Sequence, residues 1–169
     1  MSFSRTVAAC VVVLAWGAVV AGRQTPTLTA ADRAEIQELV AKYQRALATC
    51  ASDEYASLFV ADGVFISDDF RGKKHREMYG PKGGTLVGRA KLAELVATED
   101  FCIEKAQRRG PANTPPNVVL EPMPGGAKGI IQLPNKARYE DEYVKTSEGW
   151  RFKVRRVIMP PLTSTTGER

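Results

Sequence analysis

Apolar and polar positions alternate most clearly near the end of the chain, between Arg138 and Val157. Two alternating runs flank the turn-forming sequence Thr146-Ser147-Glu148-Gly149. This pattern predicts a β-hairpin with one apolar face and one charged face. The register that the turn implies gives four facing pairs: Tyr143–Phe152, Asp141–Val154, Glu142–Lys153 and Glu140–Arg155.

One charged residue interrupts the apolar face of this hairpin. Asp141 stands in the same row as Tyr139 and Tyr143. A carboxylate among apolar neighbours has to be paired, hydrogen-bonded or protonated, because burying an unpaired charge is costly. Asp141 is therefore either an acid/base group whose pKa its apolar neighbours raise, or a structural carboxylate bonded to Tyr43 or Tyr139.

A helical period governs the first part of the domain. Residues 29–32 carry helix-start signals, and apolar residues then recur at helical spacing as far as Leu47. They predict an amphipathic helix of about five turns. Tyr43 lies on the buried stripe of this helix, and a buried tyrosine needs a partner for its hydroxyl. Tyr43 is therefore either a core tyrosine that donates to a backbone carbonyl or a phenol directed into a cavity.

Shorter segments complete the predicted order of helices and strands. Helices are expected at residues 52–59 and 88–99, and strands at residues 64–67, 117–121 and 127–133. Asp62 is interpreted as a turn residue before the first strand. Residues 70–84, which include the only histidine, His75, are interpreted as a solvated loop or a lid. This order favours an α+β fold, with helices packed on one face of a curved, mostly antiparallel sheet.

The first 22 residues have the pattern of a secretory signal peptide. Arg5 precedes an apolar run from Val7 to Val20, which is short for a membrane span. We expect an exported protein, periplasmic or extracellular, with no stable membrane span after signal removal. A retained anchor is the alternative. The remaining chain divides into a linker (23–28), one domain (29–159) and a flexible tail (160–169).

Composition excludes several classes of function. Loss of Arg5 with the signal peptide lowers the formal net charge only from +5 to +4, and the charges are dispersed. A nucleic acid partner is therefore not expected. The sequence contains no metal-ligand cluster, phosphate-binding loop or nucleophile elbow, so we expect no metal and no cofactor.

Two cysteines remain after the predicted cleavage, Cys50 and Cys102. In an oxidising compartment they are expected to form a disulfide. Such a bridge would close a loop of about 50 residues and stabilise the fold by roughly 4 kcal/mol on the chain-entropy model. Two buried free thiols are the alternative.

Several short motifs resemble the SnoaL-like group of the nuclear-transport-factor-2-like superfamily. The resemblance extends over residues 28–158 and depends on the order and spacing of the motifs. They are Tyr43-Gln44-Arg45-Ala46-Leu47, residues 53–59, Ala61-Asp62-Gly63-Val64-Phe65, Gly88-Arg89, Tyr139-x-Asp141-x-Tyr143 and Gly149-Trp150-Arg151-Phe152. The implied fold is a cone, in which a strongly bent sheet wraps around about three N-terminal helices and leaves a pocket at the open end.

The superfamily includes polyketide cyclases, ketosteroid isomerases, scytalone dehydratases and members without known chemistry. In the isomerases, a helix tyrosine and a late-strand aspartic acid form the oxyanion hole, and a second carboxylate is the base. Tyr43 resembles that tyrosine and Asp141 resembles that acid. The position of the base falls on Ser67, one residue before Asp68, and a one-residue shift turns a strand side chain to the other face. SnoaL-like sequences often have a histidine just before the strand at residues 117–121, and here residues 111–116 contain none; Asn113 or Thr114 could hydrogen-bond a ligand there.

Three functions follow from this resemblance. The first is acid/base chemistry, such as cyclisation, isomerisation or dehydration, on a small, largely apolar carbonyl or hydroxy compound, with Asp141 as the acid/base group and Tyr43 as the oxyanion donor. The second is non-catalytic binding of such a compound. The third is a homodimeric interaction module built on the outer sheet face. The candidate ligand-binding residues are Asn113, Tyr139, Tyr143, Phe65, Trp150 and Asp68.

Overall fold

The computed structural model describes residues 26–68, 76–77, 83–98, 117–134 and 136–160. Several predicted features lie outside these residues: the signal peptide, most of the polar segment with His75, Asn113, Cys102 and nearly all of the tail. Three helices are described, α1 (Ala30–Thr49), α2 (Ser52–Ser57) and α3 (Arg89–Ala97). Each lies within two or three residues of its predicted position.

Helix α1 begins at the predicted capping signal. The hydroxyl of Thr29 accepts a hydrogen bond from the backbone N–H of Asp32, and the Asp32 carboxylate accepts one from the backbone N–H of Thr29. This reciprocal capping box satisfies two backbone donors that the first turn leaves unpaired. The helix ends at Cys50, which adopts a left-handed conformation with φ 57°. Its buried stripe is Ile36, Leu39, Val40, Tyr43, Ala46 and Leu47.

Six strands form one mixed, curved sheet. They are β1 (Phe59–Ser67), β2 (Gly84–Val87), β3 (Val119–Met123), β4 (Gly126–Gln132), β5 (Arg138–Thr146) and β6 (Gly149–Ile158). Their order across the sheet is β2-β1-β6-β5-β4-β3. Only the pair β1–β6 is parallel, and the other four pairings are antiparallel. The predicted α+β cone is confirmed.

The first strands differ from the sequence-based prediction in two ways. Strand β2 was not predicted, because four residues with one buried side chain, Leu86, are too short to show alternation. Strand β1 begins at Phe59 instead of Val64, and so Asp62 lies within the strand and not in a turn. Asp62 instead makes an exposed ion pair with Lys153 of the neighbouring strand β6.

The β5–β6 hairpin forms around the predicted turn, and its register shifts within it. Tyr143 faces Phe152 as predicted, but Glu142 then faces Val154, because Lys153 is an extra residue in β6. Such a bulge reverses the alternation of the strand beyond it. The three other predicted pairs are therefore wrong, and the observed ones are Asp141–Arg155, Glu142–Val154 and Glu140–Arg156.

The core lies between the helices and the inner face of the sheet. It contains the apolar stripe of α1, Leu92, Leu95 and Val96 of α3, and aromatic residues from β1, β5 and β6. Within the part of the chain that the structure describes, no helix is long and apolar enough to cross a membrane.

Candidate functional site: a buried ion pair in an aromatic cluster

Aromatic side chains from both N-terminal helices and from the sheet meet inside the cone. Tyr43 of α1 is central to this cluster, with its ring centroid 5.1 Å from that of Tyr55 in α2. The ring of Tyr43 also lies 5.6 Å from Phe152 and 6.0 Å from Tyr139, both in edge-on arrangements. The cluster therefore joins the helix layer to strands β5 and β6 through ring contacts of favourable geometry.

A buried ion pair lies against these rings. The Nε of Arg155 donates to Oδ1 of Asp141 over 2.8 Å, and its Nη2 donates to Oδ2 over 2.6 Å. The hydroxyl of Tyr143 donates a third hydrogen bond, of 2.6 Å, to Oδ2. The two charged side chains are at most 1% exposed. Both carboxylate oxygens thus accept hydrogen bonds, and the buried charge of Asp141 is paired with the charge of Arg155.

The guanidinium of Arg155 is also enclosed by aromatic faces. Its Cζ lies 3.9 Å from the ring centroid of Tyr43, 4.2 Å from that of Phe152 and 4.3 Å from that of Tyr139. Cation–π attraction of this kind strengthens when water is excluded. Burial alone would lower the pKa of Arg155, but the Asp141 carboxylate, with smaller contributions from Tyr43 and Tyr143, holds that pKa well above its usual value.

Two tyrosine hydroxyls beside the ion pair have no hydrogen-bond partner. Within the described residues, three buried side-chain polar atoms are unsatisfied, and two of them are the hydroxyls of Tyr43 and Tyr55. The two hydroxyls lie close enough to affect each other's pKa, without forming a hydrogen bond of acceptable geometry. Burial raises the pKa of both phenols, so both stay protonated and able to donate.

Gly129 makes room for the side chain that supports Asp141. Gly129 of β4 faces Asp141 of β5, and a Cβ at this position would lie 2.6 Å from the Tyr143 ring and 3.1 Å from its hydroxyl. Only glycine therefore lets Tyr143 lie across β4 with its hydroxyl directed at Asp141.

The predicted site residues are only partly brought together. Asp141, Tyr43, Tyr139 and Tyr143 share the cluster, and Phe65 of β1 is buried opposite Arg155. Trp150 lies at the turn end of the hairpin, where its indole N–H donates to Asp32 over 3.1 Å. Asp68 is exposed after the end of β1, whereas Ser67 is buried. Asn113 and Cys102 lie outside the described residues.

The sequence pattern did not point to Arg155, Tyr55 or Gly129 as site residues. Alternation counted from Phe152 assigns Arg155 to the outer face, and only the bulge at Lys153 turns it inward. One signal was available, because a carboxylate in an apolar row demands a nearby cation. Among the described residues, no three His, Cys, Asp or Glu side chains converge to hold a metal ion. The expectation that the protein uses no cofactor stays a prediction.

Solved structures share this architecture. An NTF2-like protein with a cystatin-like fold from Novosphingobium aromaticivorans superimposes with a TM-score of 0.57 and 19% identity, covering 79% of this chain and 85% of that one. An NTF2-like superfamily protein from Salmonella enterica gives a TM-score of 0.53 at 15% identity, covering 84% and 100%. ActVI-ORFA from Streptomyces coelicolor gives 0.51 at 14% identity, covering 74% and 94%. Likeness at these identities establishes the fold and not the activity.

A family model for the SnoaL-like domain matches residues 28–112. The chain therefore belongs to the SnoaL-like family, within the superfamily that the solved structures represent. No curated protein sequence matches the chain. The predicted family is confirmed, and the chemistry has to be argued from the cluster itself.

Proposed function

We propose that this protein binds a small, largely apolar carbonyl or hydroxy compound between helix α1 and the inner face of the sheet. The observation that carries the proposal is the pair of unpartnered hydroxyls of Tyr43 and Tyr55. An unsatisfied buried hydroxyl costs about 1–3 kcal/mol, and such groups in native proteins call for an explanation. Two such hydroxyls side by side in one cluster favour a ligand that supplies the missing hydrogen-bond acceptor.

The chemistry of the hydroxyls defines that acceptor. A carbonyl oxygen has two lone pairs and can accept from both phenols at once, and a hydroxyl oxygen can do the same. The surrounding rings of Phe59, Tyr139 and Phe152 would contact an apolar body. The ligand is therefore expected to be a mainly apolar molecule with one or a few polar groups, the kind that binds in mostly hydrophobic protein sites.

We further propose that Asp141 positions Arg155 and does not itself take a proton from the ligand. Both of its oxygens already accept hydrogen bonds, from Arg155 and Tyr143, and the side chain is buried, whereas a general base has to reach the substrate directly. This arrangement favours binding over isomerase-type catalysis. Tyr43 remains the candidate donor to a carbonyl oxygen, and to an oxyanion if the ligand reacts.

A homodimer remains a proposal supported by the outer face of the sheet. Val119 and Ile130 face each other across β3 and β4 and are 62% and 43% exposed. They line a groove of about 370 Å³ that also carries Glu121, Lys128, Glu140 and Arg156. This mixture of both charges around an apolar centre suits contact with a second copy of the same surface. Export and a Cys50–Cys102 bridge also remain proposals.

Native mass spectrometry of the exported protein, before and after denaturing extraction, tests the main proposal. We expect a co-purifying molecule with a carbonyl or hydroxyl group. Tyr43→Phe and Tyr55→Phe should each weaken its binding by about threefold to tenfold, because each removes one hydrogen bond to the ligand. The same spectra report whether the protein is a dimer.

Tyr143→Phe is the matched control, because its hydroxyl already has a partner in Asp141. It should lower the free energy of unfolding by about 1.5–3 kcal/mol, because the lost hydrogen bond is to a charged group, and leave the ligand affinity largely unchanged. Without ligand, Tyr43→Phe should not destabilise the protein, since it removes an unsatisfied hydroxyl. If Tyr43→Phe destabilises the free protein as much as Tyr143→Phe does, and no carbonyl compound binds, the proposal is wrong.

A further inference from the structure

Among the described residues, the ion pair of Arg155 and Asp141 sets the charge beside the hydroxyls of Tyr43 and Tyr55. The guanidinium Cζ of Arg155 lies 3.9 Å from the ring of Tyr43, and Asp141 neutralises Arg155 through two hydrogen bonds. The hydroxyl of Tyr143, the third donor at this point, is also directed at Asp141. The donors left for a ligand are therefore two uncharged phenols.

This arrangement discriminates between neutral and anionic ligands. A neutral carbonyl gives up little hydration and gains two hydrogen bonds, whereas a carboxylate would be buried without a cation of its own. It would also approach the Asp141 carboxylate, and like charges in a buried site repel each other strongly. We propose that the Arg155–Asp141 pair makes the site selective for neutral carbonyl compounds and excludes their carboxylate counterparts, an inference that rests on the proposed function.

Asp141 is then the residue that sets the selectivity. Asp141→Asn keeps the size of the side chain and an oxygen acceptor, and it removes the charge that neutralises Arg155. The guanidinium, still held among the rings of Tyr43, Tyr139 and Phe152, becomes an unpaired buried cation. A planar guanidinium of this kind pairs with carboxylates through two parallel hydrogen bonds. The variant should therefore prefer anions.

Two probes of nearly the same shape test this, 2-acetylnaphthalene as the neutral ketone and 2-naphthoate as the anion. Their dissociation constants are measured by isothermal titration calorimetry at pH 7.5. In the natural protein the ketone should bind at least about tenfold more tightly than naphthoate, and in Asp141→Asn the order should reverse. Glu142→Gln is the matched control, because it removes the same charge from the adjacent position, opposite Val154 and away from Arg155.

The outcomes separate this inference from the proposed function. If the natural protein binds naphthoate as tightly as the ketone, the selectivity inference is wrong, whether or not Asp141→Asn folds. That result leaves the proposed function unaffected. A folded Asp141→Asn variant that keeps the preference of the natural protein also overturns it, as does a reversal in Glu142→Gln. If neither probe binds and Tyr43→Phe changes nothing, the proposed function fails and the inference fails with it.

Discussion

At the scale of single residues, the cluster depends on Arg155, whose buried charge would be strongly destabilising without its partners. Arg155 is fully buried, and it is compensated by Asp141 at one edge and by aromatic faces around it. Removing one member of a buried pair is costly, because it leaves the other charge uncompensated. Replacing both members by apolar residues costs much less stability.

The burial of both charges predicts that substitutions of Arg155 and Asp141 have strongly non-additive effects on stability. Arg155→Met should lower the free energy of unfolding by about 3–5 kcal/mol, and the double variant Arg155→Met with Asp141→Leu should recover much of that loss. Urea denaturation monitored by Trp fluorescence measures both. The exposed pair Lys153–Asp62 is the control, and Lys153→Met should change stability little, alone or with Asp62→Leu. Additive losses at Arg155 and Asp141 would contradict the ion-pair account.

At the scale of elements, one acid joins the start of α1 to the β5–β6 hairpin. Asp32 caps the helix with Thr29, accepts a hydrogen bond of 2.7 Å from the ammonium of Lys145 in β5, and accepts another from the indole of Trp150 in β6. The Lys145 ammonium, followed by the Thr29 and Trp150 donors, holds the pKa of Asp32 well below its usual value.

The depressed pKa of Asp32 predicts a pH-dependent contribution to stability. A carboxyl group with a lowered pKa in the folded state stabilises the protein above its unfolded pKa, near 4, and loses this effect as the pH falls further. Asp32→Asn should therefore be less stable than the natural protein at pH 7, with a difference that shrinks below pH of about 4. Thermal unfolding from pH 7 to pH 2 measures this.

Asp53→Asn controls for the helix dipole, because Asp53 is an exposed acid in the first turn of α2. A difference between Asp32→Asn and the natural protein that does not change with pH would contradict the role of the Asp32 charge.

At the scale of the whole molecule, the predicted disulfide remains the main covalent constraint to test. Cys50 ends helix α1, and Cys102 lies outside the described residues. The intact mass of the non-reduced protein should be two hydrogens below that of the reduced chain, and reduction should lower the free energy of unfolding by about 4 kcal/mol. Cys50→Ser should abolish this sensitivity to reductant. Two thiols that react freely under native, non-reducing conditions would show that the bridge is absent.

Local patterns were sufficient for much of the fold. The capping box at Thr29 and Asp32, the stripe through Tyr43, and the hairpin turn before Gly149 all depend on residues close together in the chain. Each was predictable because backbone geometry converts such spacing directly into a helix face or a strand face. The placement of Asp141 on an inner face follows from the same alternation, and the family motifs follow from the order of these elements.

The partners inside the cone could be read only from the tertiary structure. The bulge at Lys153 reverses the strand alternation, and it alone brings Arg155 to Asp141. Tyr55 reaches Tyr43 because α2 packs beside α1, and Gly129 matters because β4 lies beneath Tyr143. A single extra residue in a strand leaves no periodic signal, and contacts between distant segments depend on packing. The chain's own pattern therefore identified a buried carboxylate, and only three-dimensional packing determined which cation neutralises it.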